Sequence, residues 1–273
     1  MHPKHILQQY NLQPKKNLGQ NFLFDENVLA RIVAAADLQP EDVVLEIGPG
    51  LGSLTIQLVR KAQQVTAVEL DDRFLPILQT TCAGFRNIEI IHGDILAQEM
   101  TRLFTRPYKV VANVPYYITG AILRHLLQAA HKPTLMVVTV QKEVAARLTA
   151  VPPNMSLLTV SAQVYGRPQM ITTLKAGAFW PRPTVDSAVI RLDLYGESER
   201  PLTLAQEKPF FQVVKAGFSQ KRKQLKNNLR QLGLGKDEVA AVLEDVGIDG
   251  RRRAQTLTLE EWLALYRQIY LRR

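Results

Sequence analysis

Three observations predict an α/β fold, a mostly parallel sheet with an antiparallel edge, followed by a small C-terminal helical domain. First, β-branched runs recur at 43–47, 65–69, 88–91, 108–112 and 134–140, most of them separated by stretches of helical character. Parallel strands need such crossover segments, whereas antiparallel strands are joined by tight turns. Second, the later runs 157–164 and 186–194 are set off by Gly-Arg-Pro and Trp-Pro-Arg-Pro turns without a long helix, which predicts the antiparallel edge. Third, beyond the polar, turn-rich stretch Tyr195 to Pro201 the apolar spacing turns helical at Phe210, Val214, Phe218, Leu225, Leu229 and Leu232. Two domains are therefore expected, 1–195 and 201–273, with Thr258-Leu-Glu-Glu261 as a capping box opening a last helix.

The 273 residues are close to the limit of about 250–300 at which one hydrophobic core stops growing, in keeping with a large domain and a smaller one. With 46% hydrophobic and 22% charged residues the chain is of globular composition, which excludes a disordered or collagen-like protein. Its most apolar stretch, Leu135 to Val140, is far short of the ~18 residues of a membrane-spanning helix, and the N-terminus has no apolar secretory core. A single cysteine, Cys82, forms no internal disulfide, which fits a reducing cytoplasm. The five histidines show no metal-ligand spacing with it, so no metal is expected.

The net charge is +9, and about +6 of it falls in residues 201–273, which hold fourteen Lys and Arg against eight Asp and Glu. From Pro209 to Gly235 there are six basic residues and no acid. A basic tail domain suggests a polyanionic partner, nucleic acid ahead of membrane, although such a run can also be a solvated helix face. Lys221, Arg222, Lys223, Lys226 and Arg230 are the candidate RNA contacts.

The first strand runs into Glu46-Ile-Gly48-Pro-Gly50-Leu-Gly52, which opens a helix at Ser53. Glycines there let the backbone pass close to a ligand, and the helix start offers N–H groups to a carboxylate or phosphate. A dinucleotide fingerprint would place its third glycine at position 53, where serine stands. The observed spacing, with Glu46 ahead of it, resembles S-adenosylmethionine-dependent methyltransferases of the Rossmann-like class I type. Glu69 ends the second strand, where a carboxylate can take both ribose hydroxyls. Asp94 ends the third and can accept a hydrogen bond from the exocyclic amine of a cofactor adenine.

The fourth strand closes on Asn113-Val-Pro115-Tyr116. This resembles the signature of methyltransferases that act on exocyclic amines of nucleobases, and the chemistry explains the residue types. An adenine N6 is a poor nucleophile because its lone pair is delocalised into the ring. The amide oxygen of Asn113 and the main-chain carbonyl of Val114 can each accept one amine proton. That biases the nitrogen toward a pyramid and stabilises the positive charge developing on it. Pro115 fixes the loop, and Tyr116 offers a ring for the flipped base to stack on, worth about 1–3 kcal/mol per base. Phe179, in Phe179-Trp-Pro-Arg-Pro183, is the candidate for a second aromatic wall.

With these residues in view, nearly the whole chain resembles the small-subunit ribosomal RNA adenine N6,N6-dimethyltransferases. The resemblance rests on Lys15-Lys-Asn-Leu-Gly-Gln-Asn-Phe-Leu23, the glycine loop, Asn113-Val-Pro-Tyr-Tyr-Ile-Thr119 and Val140-Gln-Lys-Glu143. It continues through Phe179 to Ser187, Gly217-Phe-Ser-Gln-Lys-Arg-Lys223 and Arg252-Arg-Ala-Gln-Thr-Leu257. Val114 stands where many members carry leucine or isoleucine; only its backbone is used. The resemblance implies that Asn21 and Leu23 contact the cofactor from an N-terminal segment folded over it, and that Asn113 also lies beside the cofactor. It implies as substrate two adjacent adenosines in the 3′-terminal hairpin loop of small-subunit rRNA, each methylated twice after flipping from the stack. The expected partner is the 30S ribosomal particle, with the protein acting as a monomer and no membrane involved. Two other readings stay open: a large-subunit rRNA methylase of the macrolide-resistance type, and a mainly non-catalytic ribosome-assembly or transcription factor on the same fold.

Overall fold

A computed structural model describes residues 2–15 and 18–271 of the chain. The strands are β1 (Phe22–Leu23), β2 (Val43–Ile47), β3 (Gln64–Glu69), β4 (Ile88–His92), β5 (Lys109–Asn113), β6 (Leu135–Gln141), β7 (Gly166–Leu174), β8 (Phe179–Trp180) and β9 (Ser187–Leu194). Seven of them form one sheet in the order β4-β3-β2-β5-β6-β9-β7. The pairs from β4 to β6 are all parallel, and β9 runs antiparallel to β6 with Gln141 opposite Ser187. The expected α/β class and its antiparallel edge are therefore present.

Chain order reverses between β2 and β5, since β2 leads outward to β3 and β4 before the chain returns to β5. A crevice opens at the carboxyl ends of strands at such a switch point, which is where α/β sheets bind ligands. The glycine loop leaves β2 there, and Asn113 to Tyr116 leave β5 beside it, with Ile47 opposite Ala112. A second, two-stranded sheet joins β1 to β8 antiparallel, with Leu23 opposite Phe179. It brings the N-terminal segment to the same crevice.

The inner parallel strands β2, β3, β5 and β6 are buried along most of their length and are rich in Val, Ile and Ala, with β6 buried from Leu135 to Val140. At the sheet edge β4 is instead half-buried to exposed. Val44, Val65, Val111, Val137 and Val189 share one core cluster with Leu54 and Leu58 of the helix Ser53–Val59. Leu29 and Ile32 of the helix Glu26–Ala35 join them. A smaller cluster packs Leu7 of the N-terminal helix Pro3–Gln9 with Phe22, Phe74 and Ile77.

The chain divides into two compact units, 1–145 with 168–194, and 146–167 with 195–273. The second unit takes in 146–167 as well as the stretch beyond the expected boundary at 195–201. The run 157–164, expected as a strand, is helical over Leu157–Gln163. Ser156 and Thr159 form a capping box there, and Thr159, Val160 and Ala162 are buried at helical spacing. The strand beside β9 is instead β7, whose burial alternates along its length.

In the second unit the helix Leu204–Phe218 buries Phe210, Val213 and Val214, and Leu259–Leu271 buries Trp262, Leu265 and Tyr266. Phe210 meets Tyr266 edge-on at 5.7 Å and Phe218 stacks on Trp262 at 5.3 Å. The expected capping box is formed: Glu261 N donates to Thr258 Oγ1 at 3.2 Å and Thr258 N to a Glu261 oxygen at 2.8 Å. Arg252 grips the same carboxylate with two nitrogens, at 2.5 and 2.9 Å. Among the described residues no helix is long and apolar enough to cross a membrane.

Candidate active site

One cavity gathers nearly all the residues expected to hold a cofactor or an acceptor base. It is lined by Asn21 and Leu23 of the N-terminal segment, by Glu46, Gly48 and Gly50, by Glu69 and Asp94, and by Asn113 to Tyr116 with Phe179. Lys16 and Asn17, in the first of the sequence motifs, lie outside the described residues. Gly52 stands outside the lining. It caps the helix Ser53–Val59 in the left-handed region at φ 85°, and a methyl group there would lie 2.9 Å from Thr81 Cγ2. Its glycine is demanded by backbone and packing.

Glu69 is presented by main-chain donors. Gly50 N donates to Oε2 at 2.9 Å and Asp71 N to Oε1 at 2.8 Å, so both oxygens are fixed with lone pairs to spare. Burial pushes its pKa above the ordinary carboxylate value, and those N–H groups oppose the shift. Glu46 is 1% exposed, and its Oε2 finds no hydrogen-bond partner among the described residues. Burial, opposed by the Thr55 hydroxyl and reinforced by the charge of Glu69, pushes its carboxyl up to about 8. A buried acceptor without a donor beside a left-handed glycine loop fits a ligand that brings an ammonium group and ribose hydroxyls, as S-adenosylmethionine does. Asp94 accepts from Leu96 N at 2.9 Å, capping the short turn after β4, and borders the same cavity.

At the end of the cavity expected to take the acceptor base, Asn113 donates Nδ2 to the main-chain oxygen of Asn21 at 3.3 Å. Val114 is 3% exposed, its side chain packed away. The Tyr116 hydroxyl meets Ser187 Oγ at 2.5 Å, anchoring the ring to the start of β9; burial raises its pKa, opposed by the Ser187 contact. Phe179 is 3% exposed and belongs to the core cluster while also lining the cavity.

The candidate RNA contacts lie in the second unit, and all five are exposed. They do not share one helix. Lys221, Arg222 and Lys223 occupy the turn after Phe218, Lys226 lies in the short helix Leu225–Leu229, and Arg230 begins the turn that follows. The apolar stripe is correspondingly broken, because the chain bends between Phe218 and Leu225. Asn228 holds that bend, donating Nδ2 to Gly217 O at 2.6 Å and to Gln220 O at 3.1 Å.

Sequence reasoning did not single out Gln20, Asp71 or Arg73 as site residues. Asp71 accepts from Gln20 Nε2 at 2.7 Å and from Arg73 Nε and Nη2 at 2.8 and 2.6 Å. Two acids following a strand-end glutamate look like solvated residues, and only the fold brings Gln20 to one of them.

The family model described as ribosomal RNA adenine dimethylase matches residues 11–270. A ribosomal RNA small subunit methyltransferase A of Dehalococcoides mccartyi (strain CBDB1) is 45% identical over 265 residues, covering 96% of this chain and 90% of the relative. One of that name from Geobacillus sp. (strain WCH70) is 43% identical over 274 residues, covering 96% and 94%. Among solved structures, the 23S rRNA methyltransferase ErmE superposes with a TM-score of 0.75 at 31% identity, covering 92% of this chain and all of that one. A dimethyladenosine transferase from Plasmodium falciparum gives 0.77 at 25%, covering 89% and 95%. The chain belongs to the ribosomal RNA adenine dimethylase family.

Proposed function

We propose that this protein transfers methyl groups from S-adenosylmethionine to the N6 amines of two adjacent adenosines in the 3′-terminal hairpin loop of small-subunit rRNA. It would do so during 30S ribosome biogenesis in the cytoplasm, as a single chain. The observation that carries the reading is the meeting, in one cavity, of the Glu69 carboxylate on its main-chain donors with the Asn113 amide held by Asn21.

S-adenosylmethionine supplies an electrophilic methyl group on a positively charged sulfur. Glu69 would take the ribose hydroxyls, Glu46 a donor of the methionyl end, and Asp94 the adenine amine. Asn113 Oδ1 and the Val114 carbonyl would accept hydrogen bonds from the N–H groups of the target amine, two in the first transfer and one in the second, drawing its lone pair out of conjugation. Tyr116, fixed through Ser187, and Phe179 would flank the flipped base. No strong base is needed, because the amine becomes acidic as it gains the methyl group and its proton can pass to water. The exposed basic turn of the second unit would take rRNA phosphates.

The small-subunit relatives at 43–45% identity, against 31% for ErmE, support the small-subunit target over the large-subunit one. The intact acceptor loop supports an active enzyme over a purely structural assembly factor. The test is incubation with labelled S-adenosylmethionine and undermethylated 30S particles, 50S particles or protein-free RNA. Dimethyladenosine in the 30S sample alone supports the reading. Label in the 50S sample moves the target, and no label in any sample leaves the assembly role.

A further inference from the structure

A continuous run of hydrogen bonds crosses the cavity rim from the N-terminal segment to the cofactor carboxylate. Lys15 N donates to Gln20 Oε1 at 2.6 Å, and Gln20 Nε2 donates to Asp71 Oδ2 at 2.7 Å. Asp71 N in turn donates to Glu69 Oε1 at 2.8 Å, and Gly50 N to Glu69 Oε2 at 2.9 Å. The residue after Gln20 is Asn21, whose carbonyl accepts from Asn113 Nδ2. One end of this run thus sets the ribose-binding carboxylate and the other end sets the acceptor amide.

Asp71 is built to be the junction. Its side chain is 1% exposed, and every partner it has there is a donor. Arg73 Nε and Gln20 Nε2 come from different parts of the chain, with Lys15 Nζ at 3.5 Å from Oδ1. Arg73 also donates to Gln13 O at 3.3 Å, a second tie to the same segment. Local structure, the cap on Asp72–Phe74 through Arg73 N at 3.4 Å and the guanidinium of a residue two places on, accounts for the Arg73 contacts alone. It does not account for the Gln20 bond, which spans 51 residues of chain.

We propose that Gln20 and Asp71 form a bracket of positioning residues that sets Glu69 and Asn113 together for methyl transfer. This rests on the site reading given above. Asp71 stands outside the cavity lining and Gln20 borders it, and each acts through the group it holds. Losing the bracket should therefore impair both cofactor binding, through Glu69, and the transfer step itself, through Asn21 and Asn113.

The test uses the full chain with undermethylated 30S particles and three variants: Gln20→Ala, Asp71→Asn and the two combined. Calorimetry gives S-adenosylmethionine affinity, and single-turnover transfer at saturating cofactor gives the chemical step. Small misplacements of reacting groups are costly, so Gln20→Ala should weaken affinity about fivefold and slow saturated transfer about tenfold. Its melting temperature should stay within about 3 °C of wild type, since the two hydrogen bonds lost, to Lys15 N and Asp71 Oδ2, are exposed and part-buried. The double variant should be no worse than the more severe single, because both cut the same tie. Gln20→Ala with wild-type affinity and saturated rate overturns the bracket, as do independent, multiplying effects in the double variant. If Asp71→Asn fails to fold, Gln20→Ala decides alone by the same two readouts. Wild type that binds no S-adenosylmethionine overturns the site reading and the bracket with it. A competent wild type beside an unaffected Gln20→Ala overturns the bracket only.

Discussion

Asn113 and Asn21, 92 residues apart in the chain, are joined by a hydrogen bond of 3.3 Å from the Asn113 amide nitrogen to the Asn21 carbonyl. That contact decides which end of the amide does what. With its nitrogen engaged by main chain, Asn113 turns its oxygen to other partners, as a group that accepts an amine proton must.

Asn113→Ala should therefore lower turnover by roughly 10²–10³, the usual cost of removing one oriented dipole from a transition state. Affinity for S-adenosylmethionine should stay within a few-fold. Methyl incorporation into 30S particles and calorimetric titration measure the two separately. Near-native turnover would remove Asn113 from its assigned role.

Glu46 gives a pH prediction whose sign is set by its raised pKa. Between the ordinary value of 4.5 and about 8, the folded protein keeps a proton that the unfolded chain has lost. Stability from this group is therefore fullest at low pH and is lost as pH climbs through about 8. Its charged or ionisable neighbours are Glu69, which reinforces the shift, and Cys82, whose own thiol is pushed up to about 11 by burial and by Glu46. Glu46→Gln, which cannot titrate, should gain in melting temperature relative to wild type between about pH 5 and about pH 9 without cofactor. A difference that does not change with pH would show that Glu46 ionises normally.

Gly217 opens the motif that holds the candidate RNA contacts Lys221, Arg222 and Lys223, yet its own constraint is packing. A methyl group there would lie 2.9 Å from Trp262 Cζ3 and 3.3 Å from Leu225 Cδ1, and Trp262 is fully buried. Gly217→Ala should cost about 1–3 kcal/mol by overpacking. Gly120→Ala is the control, since a methyl there meets nothing within 4 Å. Thermal melting of the two variants should show a loss at Gly217 and none at Gly120.

Replacing Lys221, Arg222 and Lys223 with alanine should weaken 30S binding and flatten its salt dependence. Three lost phosphate contacts reduce the log–log slope by about 2–3. All three are exposed on a turn, so melting temperature and cofactor affinity should hardly move. An unchanged slope, measured at several salt concentrations, would make the turn a solvated surface.

Strands β2, β3, β5 and β6 were legible because double burial demands β-branched runs, the edge strand β4 by its isoleucines, and Gly48, Gly50 and Asn113 because each closes such a run. The segment 157–164 was not. Leu157-Leu-Thr-Val160 is too short for periodicity to separate strand from helix, and the deciding signal was the pair Ser156 and Thr159 at its start. The strand β7 was hidden by its Gly-Arg-Pro opening, which looks like a turn. Phe179 was legible as an aromatic in a motif. Its pairing opposite Leu23 was not, because a two-residue strand leaves no pattern. Asp71 was silent for a different reason: its partner Gln20 lies 51 positions away, and nothing local distinguishes it from a surface acid.

The place of β9 in the sheet has a consequence for how the protein is made. β6 meets β5 on one side as soon as both exist, but its other edge is covered only by Ser187 to Leu194. About 45 residues separate the two strands, so at roughly 5–20 residues per second a nascent chain carries an open, largely apolar edge for several seconds. The Tyr116 ring also lacks its Ser187 anchor throughout that interval. Nascent chains stalled between Gln141 and Ser187 should accordingly be the most prone to mispairing, and release past Leu194 should end both the exposed edge and the unfinished pocket together.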